Sequence, residues 1–169
     1  MKVRIKKLVD NAVIPTYATD GSAGMDLTAT SIEFDEYGNK VYHTGLAFEI
    51  PENYVGLVFP RSSNTKKNLL VKNSVGVIDS DYRGEVTFKF SSDLKVVNTI
   101  WPRVRLFFKK YLSSKDCVGV TSIWNNTDYQ VGDRIGQIII MPYPRIEFEE
   151  VAQLSETQRG DGGHGSTGR

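Results

Sequence analysis

Residues 159–169 of the chain combine the groups that proteins use to bind anions. They read RGDGGHGSTGR, in which Arg159 precedes a run of glycines that leads to Ser166 and Thr167. Glycines let backbone amides approach an anion, hydroxyls donate further hydrogen bonds, and a guanidinium binds phosphate oxygens in pairs. The composition fits a segment that wraps phosphate groups and a flexible tail equally well. It is not a Walker A loop, because the lysine of that motif is missing.

A second candidate anion site lies in the sequence PRSSNTKKN, where Pro60 closes a predicted strand. A short helix is predicted over residues 62–69, with Arg61, Ser62 and Ser63 at its start. A helix start presents unpaired amides and the positive end of the helix dipole. Capping of the first turn by a serine, beside a solvated arginine, is the simpler interpretation of this segment taken alone.

A candidate general base lies in the sequence GVIDSDYRGEV, at residues 76–86. The apolar pair Val77 and Ile78 leads to Asp79, and Tyr82 follows in a tight turn. A carboxylate fixed at the end of a strand can accept a proton from water, and a tyrosine ring can stack on a sugar or a base. A hairpin turn without a chemical role is the alternative, because Asp and Gly are common in β-turns.

Two further polar residues stand in apolar surroundings, Asp26 in SAGMDLTA and Gln137 in VGDRIGQIII. Buried acids and amides beside strands usually satisfy backbone groups or arginines. Each of these segments is therefore weak evidence for a site when it is considered by itself.

The composition excludes several classes of function. The 21 basic and 20 acidic residues give a net charge of +1, without the broad positive surface of a nucleic-acid-binding or membrane-surface protein. One cysteine and two histidines cannot supply a four-ligand zinc site, and neither His43 nor His164 has the context of a Ser-His-Asp triad. The lone Cys117 forms no internal disulfide, and no apolar run approaches the roughly 20 residues of a membrane span. We therefore expect a cytoplasmic protein that binds neither membranes nor nucleic acids directly.

Period-two alternation predicts strands as the elements that position these residues. In EVTFKF, Val86, Phe88 and Phe90 face one side and polar residues face the other. Many short strands separated by turn-rich pieces predict a single all-β domain, either a sandwich or a barrel. The other predicted strands cover residues 2–9, 45–50, 54–59, 69–72 and 134–141.

The five polar segments follow one another in a fixed order, at residues 23–27, 60–63, 76–84, 132–137 and 159–168. In that order the chain resembles the trimeric deoxyuridine triphosphatase (dUTPase) family, whose motifs are A-G-x-D-L, P-R-S-G, G-x-I-D-x-D-Y-x-G, G-D/E-R-I-A-Q and R-G-x-G-G-F-G-S-T-G. The resemblance implies a jelly-roll-like, distorted β-barrel of the dUTPase β-clip type over residues 1–158, with a mobile C-terminal arm over residues 159–169. It also implies Mg²⁺-assisted hydrolysis of dUTP to dUMP and pyrophosphate in a homotrimer, with each arm closing a neighbouring active site.

The resemblance also implies a role for each site residue. Asp79 corresponds to the base that directs water to the α-phosphorus, Tyr82 to the residue that packs on deoxyribose, and Asp26 to an outer-shell partner of the metal through water. The implied phosphate-binding residues are Arg61, Ser62, Ser63, Gln137, Arg159, Gly165, Ser166 and Thr167. The residues implied to bind or cover uracil are Asn73, Val77, Ile78, Thr87 and His164.

The chain departs from the family pattern at four places. Ser63 and Gly136 replace a glycine and an alanine, and we expect Gly136 only to loosen a packed strand. His164 replaces a phenylalanine, and we expect its flat imidazole to cover the base. An insertion at about residues 91–122 separates the third and fourth motifs. We expect it to be structural decoration, with a surface for an unknown partner as the alternative.

Two other functions are left as alternatives. The dCTP deaminases share the fold and the R-S-S string of residues 61–63, but their catalytic glutamate corresponds to Lys89 here, and they normally lack the D-Y-R-G turn. A regulatory protein of the dUTPase fold that binds nucleotide without hydrolysing it is the second alternative. The presence of Asp79, Tyr82 and Arg159 favours hydrolysis over both.

Overall fold

The computed structural model describes residues 1–67, 69–91 and 128–163. Most of the predicted insertion, residues 92–122, lies outside the described residues, as do His164, Gly165, Ser166 and Thr167. Within the described ranges the chain forms ten β-strands and one 3₁₀ helix, with no α-helix. Nothing in these ranges forms a helix of the length and apolarity that a bilayer crossing requires. The prediction of an all-β fold with one short helix is confirmed.

The strands are between two and nine residues long. In chain order they are β1 (Arg4–Lys7), β2 (Met25–Thr28), β3 (Ser31–Phe34), β4 (Lys40–His43), β5 (Leu46–Glu49), β6 (Tyr54–Pro60), β7 (Leu70–Val71), β8 (Gly76–Ile78), β9 (Thr87–Ser91) and β10 (Arg134–Pro142). The 3₁₀ helix, η1 (Ser62–Lys66), lies between β6 and β7.

Three antiparallel sheets enclose one apolar core. The strand order is β2-β10-β6-β8 in the first four-stranded sheet and β3-β4-β9-β7 in the second, while β1 pairs with β5. Val86, Phe88 and Phe90 are all buried, as their alternation predicts. Other members of the core are Leu27, Tyr42, Leu46, Phe48, Ile50, Val58, Leu69, Tyr129, Ile135 and Ile138.

The helix after β6 differs from the prediction in both length and capping. It ends at Lys66, it is a 3₁₀ helix, and its N-cap is Arg61, whose side chain makes no capping hydrogen bond. Arg61 still has an extended backbone (φ −78°, ψ 155°), so the helix begins at Ser62, as predicted, and Ser62 lies within its first turn instead of capping it. The expectation that a serine caps this helix is therefore wrong.

Gly136 makes room for a core side chain, which differs from the expectation that it only loosens strand β10. A Cβ atom at this position would overlap the ring of Phe88 and would lie 2.9 Å from the backbone oxygen of Phe59. Phe88 belongs to β9, in the second four-stranded sheet. The absence of a side chain at Gly136 lets the two sheets approach closely at this point.

Candidate active site

Strand β10 brings polar residues from three distant segments to one end of its sheet. The strand pairing places Gln137 opposite Asp26 of β2 on one side and opposite Phe59 of β6 on the other. Arg61 follows directly after β6, which ends at Pro60. The side-chain amide of Gln137 donates to the carbonyl oxygen of Pro60 (3.3 Å). The antiparallel register thus assembles residues of the first, second and fourth sequence motifs.

Asp26 is the anionic centre of this cluster. Arg61 Nε donates to Oδ1 of Asp26 at 2.7 Å, and Arg134 Nη1 donates to Oδ2 at 3.0 Å. The side chains of Asp26 and Arg61 are 22% and 27% exposed, so their ion pair is partly shielded from water and is less screened than a surface pair. The structure thereby bears out the interpretation that Asp26 satisfies arginines, and it fixes the Arg61 guanidinium at the end of the sheet.

Residues 61–67, which we call the 61–67 loop, carry the candidate phosphate-binding side chains after β6. Arg61 Nη1 donates to Ser63 Oγ at 3.4 Å, so the two side chains lie together. Ser62 is exposed and Ser63 is half-buried. Hydroxyl groups and a guanidinium on one loop, beside the amide of Gln137, form a donor-rich surface suited to phosphate oxygens.

The candidate base lies on a turn directly after β8. The backbone amide of Tyr82 donates to the carbonyl oxygen of Asp79 (3.2 Å), and the Tyr82 hydroxyl donates to the carbonyl oxygen of Glu85 (3.0 Å). The Tyr82 ring lies over Gly84, where a Cβ atom would overlap it. Asp79 is exposed and Tyr82 is 43% exposed. The turn therefore presents a carboxylate and an aromatic ring to a molecule outside the chain.

The base and the phosphate-binding cluster lie at opposite ends of β6 within one chain. Strand β8 runs antiparallel to β6 and places Ile78, the residue before Asp79, opposite Gly56. Arg61 follows the other end of β6, and the four residue steps from Gly56 to Pro60 span about 13 Å of extended backbone. A single chain therefore separates the groups that the resemblance assigns to one active site.

The residues implied to bind uracil are divided between two sheets. Asn73 lies beside Gly76, with its amide nitrogen 3.4 Å from the place of a Cβ atom there. Val77 is 60% exposed, whereas Ile78 packs partly buried against the core. Thr87 instead begins β9 and pairs with His43 of β4. The structure thus places Asn73 beside the start of β8, Val77 and Ile78 directly before Asp79, and Thr87 on the strand that follows the turn.

Sequence reasoning missed a histidine that fixes the end of this turn. His43 Nδ1 lies 2.8 Å from Glu85 Oε2, and His43 Nε2 lies 3.1 Å from Glu33 Oε1. The other Glu85 oxygen accepts from the backbone amide of Gly45 at 2.6 Å. The hydrogen bond to Glu85, opposed by desolvation and reinforced by Glu33, raises the pKa of His43 above its ordinary value of 6.5. No sequence motif links His43 to Glu85, since their contact depends on the pairing of β4 with β9.

The last described residues carry Arg159 on an exposed segment. Every described residue from 143 to 163 except Gly162 is exposed. Arg159 Nε donates to the carbonyl oxygen of Gly162 (2.8 Å), and Gly160 adopts a left-handed backbone with φ of 55°. Phe148 and Leu154 are 93% and 82% exposed, so apolar as well as polar side chains of this segment lie outside the core.

The acidic residues suit a metal ion that is held mainly by a ligand. Within residues 1–67, 69–91 and 128–163, no three His, Cys, Asp or Glu side chains converge on a common point. Mg²⁺ typically keeps several waters and binds one or two carboxylates together with substrate phosphates. Asp26, a single carboxylate beside the candidate phosphate-binding loop, fits an outer-shell role of this kind.

The fold and the site define an antiparallel β protein with a donor-rich surface for a phosphorylated ligand. A family model described as dUTPase matches residues 10–105 and 99–168. The chain is 36% identical over 171 residues to the deoxyuridine 5'-triphosphate nucleotidohydrolase of Hydrogenobaculum sp. (strain Y04AAS1), with 99% of each chain covered. It is also 36% identical over 174 residues to the enzyme of that name from Dictyoglomus turgidum, again with 99% of each covered. The chain belongs to the dUTPase family.

Solved structures agree on the fold. The dUTPase of Staphylococcus bacteriophage 80alpha with dUPNHPP superimposes with a TM-score of 0.70 at 24% identity, and 99% of each chain is covered. A mutant dUTPase of phage phi11 of S. aureus, described with a structural Mg(II) ion, gives a TM-score of 0.62 at 21% identity, with 90% of this chain and 98% of that chain covered. The β-clip fold expected from the motifs is confirmed, and family membership favours the dUTPase interpretation over the deaminase.

Proposed function

We propose that the chain hydrolyses dUTP to dUMP and pyrophosphate, which limits uracil in DNA and supplies dUMP for thymidylate synthesis. The observation that carries the proposal is the cluster formed by Asp26, Arg61 and Gln137 at one end of β6 and β10, in a chain that belongs to the dUTPase family. This cluster offers cationic and neutral donors to a polyphosphate, while Asp79 offers a carboxylate to water.

The hydrolytic step needs one base and a well-held leaving group. Asp79 orients a water molecule and accepts its proton as the water oxygen bonds to the α-phosphorus. The bond from the α-phosphorus to the oxygen bridging to the β-phosphate breaks, and pyrophosphate leaves. Tyr82, half-exposed on the same turn, packs on the deoxyribose and leaves no space for a ribose 2′-hydroxyl. Positioning and charge neutralisation supply most of the rate in such reactions.

The remaining site residues fall into two groups, one that binds the uracil base and one that binds the phosphate groups. Asn73 and the backbone of Val77 and Ile78 bind uracil beside Asp79, with Thr87 on the following strand and His164 over the ring. The phosphate groups are bound by Arg61, Ser62, Ser63, Gln137, Arg159, Gly165, Ser166 and Thr167. The donor-rich surface around the first four of these supports the assignment.

Asp26 is the residue that would hold Mg²⁺, through water, at the phosphate end of the site. When bound, the ion supplies positive charge to the triphosphate oxygens. Asp26 also keeps Arg61 in place through the 2.7 Å bond to its Nε. One carboxylate would thus orient a protein cation and accept a hydrogen bond from a water molecule of the hydrated metal ion.

A homotrimer with shared active sites is the assembly that we propose. Two observations support it: Asp79 and Arg61 lie at opposite ends of β6, and the segment from 143 to 163 exposes Phe148 and Leu154. Exposed apolar side chains in a run mark a surface for another chain. In this assembly residues 159–169 close over a neighbouring site as a lid, which excludes water from the triphosphate.

We expect the protein to act in the cytoplasm without binding nucleic acid directly. The lone Cys117, which cannot form an internal disulfide, supports the first expectation, and the charge balance, which provides no broad positive surface, supports the second. A regulatory role with an unknown partner at residues 91–122 is compatible with hydrolysis and stays a separate hypothesis.

The experiment that tests the function is a pyrophosphate-release assay with Mg²⁺ and, in parallel, dUTP, dCTP, dTTP and UTP. Turnover of dUTP alone supports the proposal. Formation of a deoxyuridine nucleotide from dCTP would instead identify a deaminase. Binding of dUTP without turnover of any nucleotide would identify a regulatory protein and contradict hydrolysis.

A further inference from the structure

Tyr129 is a core residue whose hydroxyl reaches the candidate active site. Its side chain belongs to the buried core, and its ring packs against Phe90 with centroids 5.7 Å apart. Tyr42 packs edge-on at 6.1 Å and donates its hydroxyl to the Tyr129 carbonyl oxygen at 3.3 Å. The Tyr129 hydroxyl itself donates to Asn64 Oδ1 at 3.3 Å. A rigidly packed aromatic residue therefore ends in a hydrogen bond to the 61–67 loop.

The 61–67 loop needs such external support because it has little packing of its own. Its 3₁₀ helix buries no residue and has no side-chain capping hydrogen bond. Asn64 is the residue on which its internal bonds converge, since its backbone amide donates to Arg61 O (2.9 Å) and its side-chain amide donates to Leu69 O (2.9 Å). Fixing Asn64 therefore fixes the loop relative to Arg61 on one side and to the core residue Leu69 on the other.

A second contact ties the same loop to the residues around Tyr129. The Lys67 ammonium group lies 4.6 Å from the centre of the Tyr129 ring and donates to the carbonyl oxygen of Asp128 at 3.2 Å. A cation over an aromatic face is attracted by the ring. Burial raises the pKa of Tyr129, so its hydroxyl stays protonated as a donor. Both halves of the loop thus rest on the segment that precedes β10.

We propose that Tyr129 is a positioning residue that holds the 61–67 loop, through Asn64, in the conformation that receives the substrate phosphates. The inference rests on the proposed function for the identity of the substrate. The affinity of the chain for a polyphosphate can be measured independently of the turnover of dUTP. Tyr129 does not touch the reacting atoms in this account; it acts by keeping Arg61, Ser62 and Ser63 in place.

The test is Tyr129→Phe, which removes the hydroxyl and keeps the ring. We expect KM for dUTP to rise about 3- to 10-fold with kcat within about twofold of the wild type, as for the loss of one hydrogen bond that supports binding. Binding of inorganic tripolyphosphate, measured by calorimetry, should weaken by about the same factor. Tyr42→Phe is the matched control, because it also removes a buried hydroxyl bonded to this cluster. It should lower thermal stability while leaving KM unchanged.

A double-mutant cycle with Asn64→Ala separates positioning from a general loss of packing. If Tyr129 acts through Asn64, the double variant should bind tripolyphosphate no more weakly than Asn64→Ala alone. Additive effects, wild-type affinity in Tyr129→Phe, or an equal loss in Tyr42→Phe would each overturn the inference. Failure of the wild-type chain to turn over dUTP would overturn the proposed function instead, and the tripolyphosphate arm would still decide the role of Tyr129.

Discussion

Asp79 is the residue on which the proposed chemistry depends most directly. It is exposed at the end of β8, on a turn closed by the Tyr82 amide. Asp79→Asn keeps the size of the side chain but removes the proton acceptor, so we expect pyrophosphate release from dUTP to fall by at least about 100-fold. Affinity for dUTP by calorimetry should change little, because no phosphate donor is lost. The control is Glu36→Gln, an exposed carboxyl in the β3–β4 turn, and comparable losses in both variants would contradict the assignment.

His43 gives the fold a pH dependence of a definite sign. Glu85 and Glu33 hold its imidazolium form and raise its pKa above the ordinary 6.5. A raised pKa in the folded state means that the stabilisation is fully present below about pH 6.5 and is lost as pH rises through the folded-state pKa. Relative to His43→Gln, the wild-type free energy of unfolding should therefore decrease as the pH is raised from about 6 to about 9.

Urea unfolding at several pH values measures this difference. The groups that face His43 are Glu33 on β3 and Glu85 before β9. Glu33→Gln serves as the control variant, in which the dependence on pH should be shallower. If the free energy of unfolding changed with pH in the same way for the wild type and His43→Gln, the two ion pairs of His43 would contribute nothing to the pH dependence of stability.

Single residues were predictable from sequence where a motif carries them, and not where a contact depends on register. Asp79 and Arg61 stand in recognisable strings, so their candidate roles could be named in advance. The His43–Glu85 and Tyr129–Asn64 contacts join residues 42 and 65 positions apart in the chain. Nothing local in the sequence specifies those partners, because sheet pairing and core packing bring them together.

At the scale of elements, the alternation rule succeeded where one strand face is buried and failed elsewhere. In β9, the buried Phe88 and Phe90 alternate with less buried neighbours. In β4, by contrast, Val41 and Tyr42 are adjacent and both buried, so no alternation marks the strand. The edge strand β3 is mostly exposed: Ile32 packs partly buried against the core, but Phe34, on the same face, is 68% exposed. These two strands, with β2 and β8, were not among the predicted strand ranges.

The contact between β10 and β9 predicts a cost for restoring the alanine of the family pattern. In Gly136→Ala the new methyl group overlaps the Phe88 ring, so we expect the free energy of unfolding to fall by about 1–3 kcal/mol. Urea denaturation measures the loss. In a Phe88→Leu background the same substitution should cost less, because the ring that it meets is gone. An equal cost in both backgrounds would mean that the clash with the Phe59 carbonyl dominates.

At the scale of the whole molecule, the separation of Asp79 from Arg61 supports the proposal that more than one chain contributes to each active site. The two residues lie beyond opposite ends of β6, so in the proposed assembly they come to one site from different subunits. Sequence motifs could not show this, because their order along the chain says nothing about which copies meet. The antiparallel pairing of β8 with β6 shows instead that Asp79 and Arg61 lie at opposite ends of β6.

Mixing two inactive variants tests this shared site. Asp79→Asn lacks the base and Arg61→Ala lacks a phosphate-binding cation, so each homotrimer should be nearly inactive. If the two residues come from different subunits, mixed trimers formed by unfolding and refolding equal amounts of both variants should regain activity. Random assembly leaves both residues intact in about one quarter of the sites, which sets the expected rate of pyrophosphate release relative to wild type. Asp79→Asn mixed with wild type provides the dilution control. If the base and the arginine belonged to one subunit, no intact site could form in the mixture, and its rate would stay at the level of the separate variants.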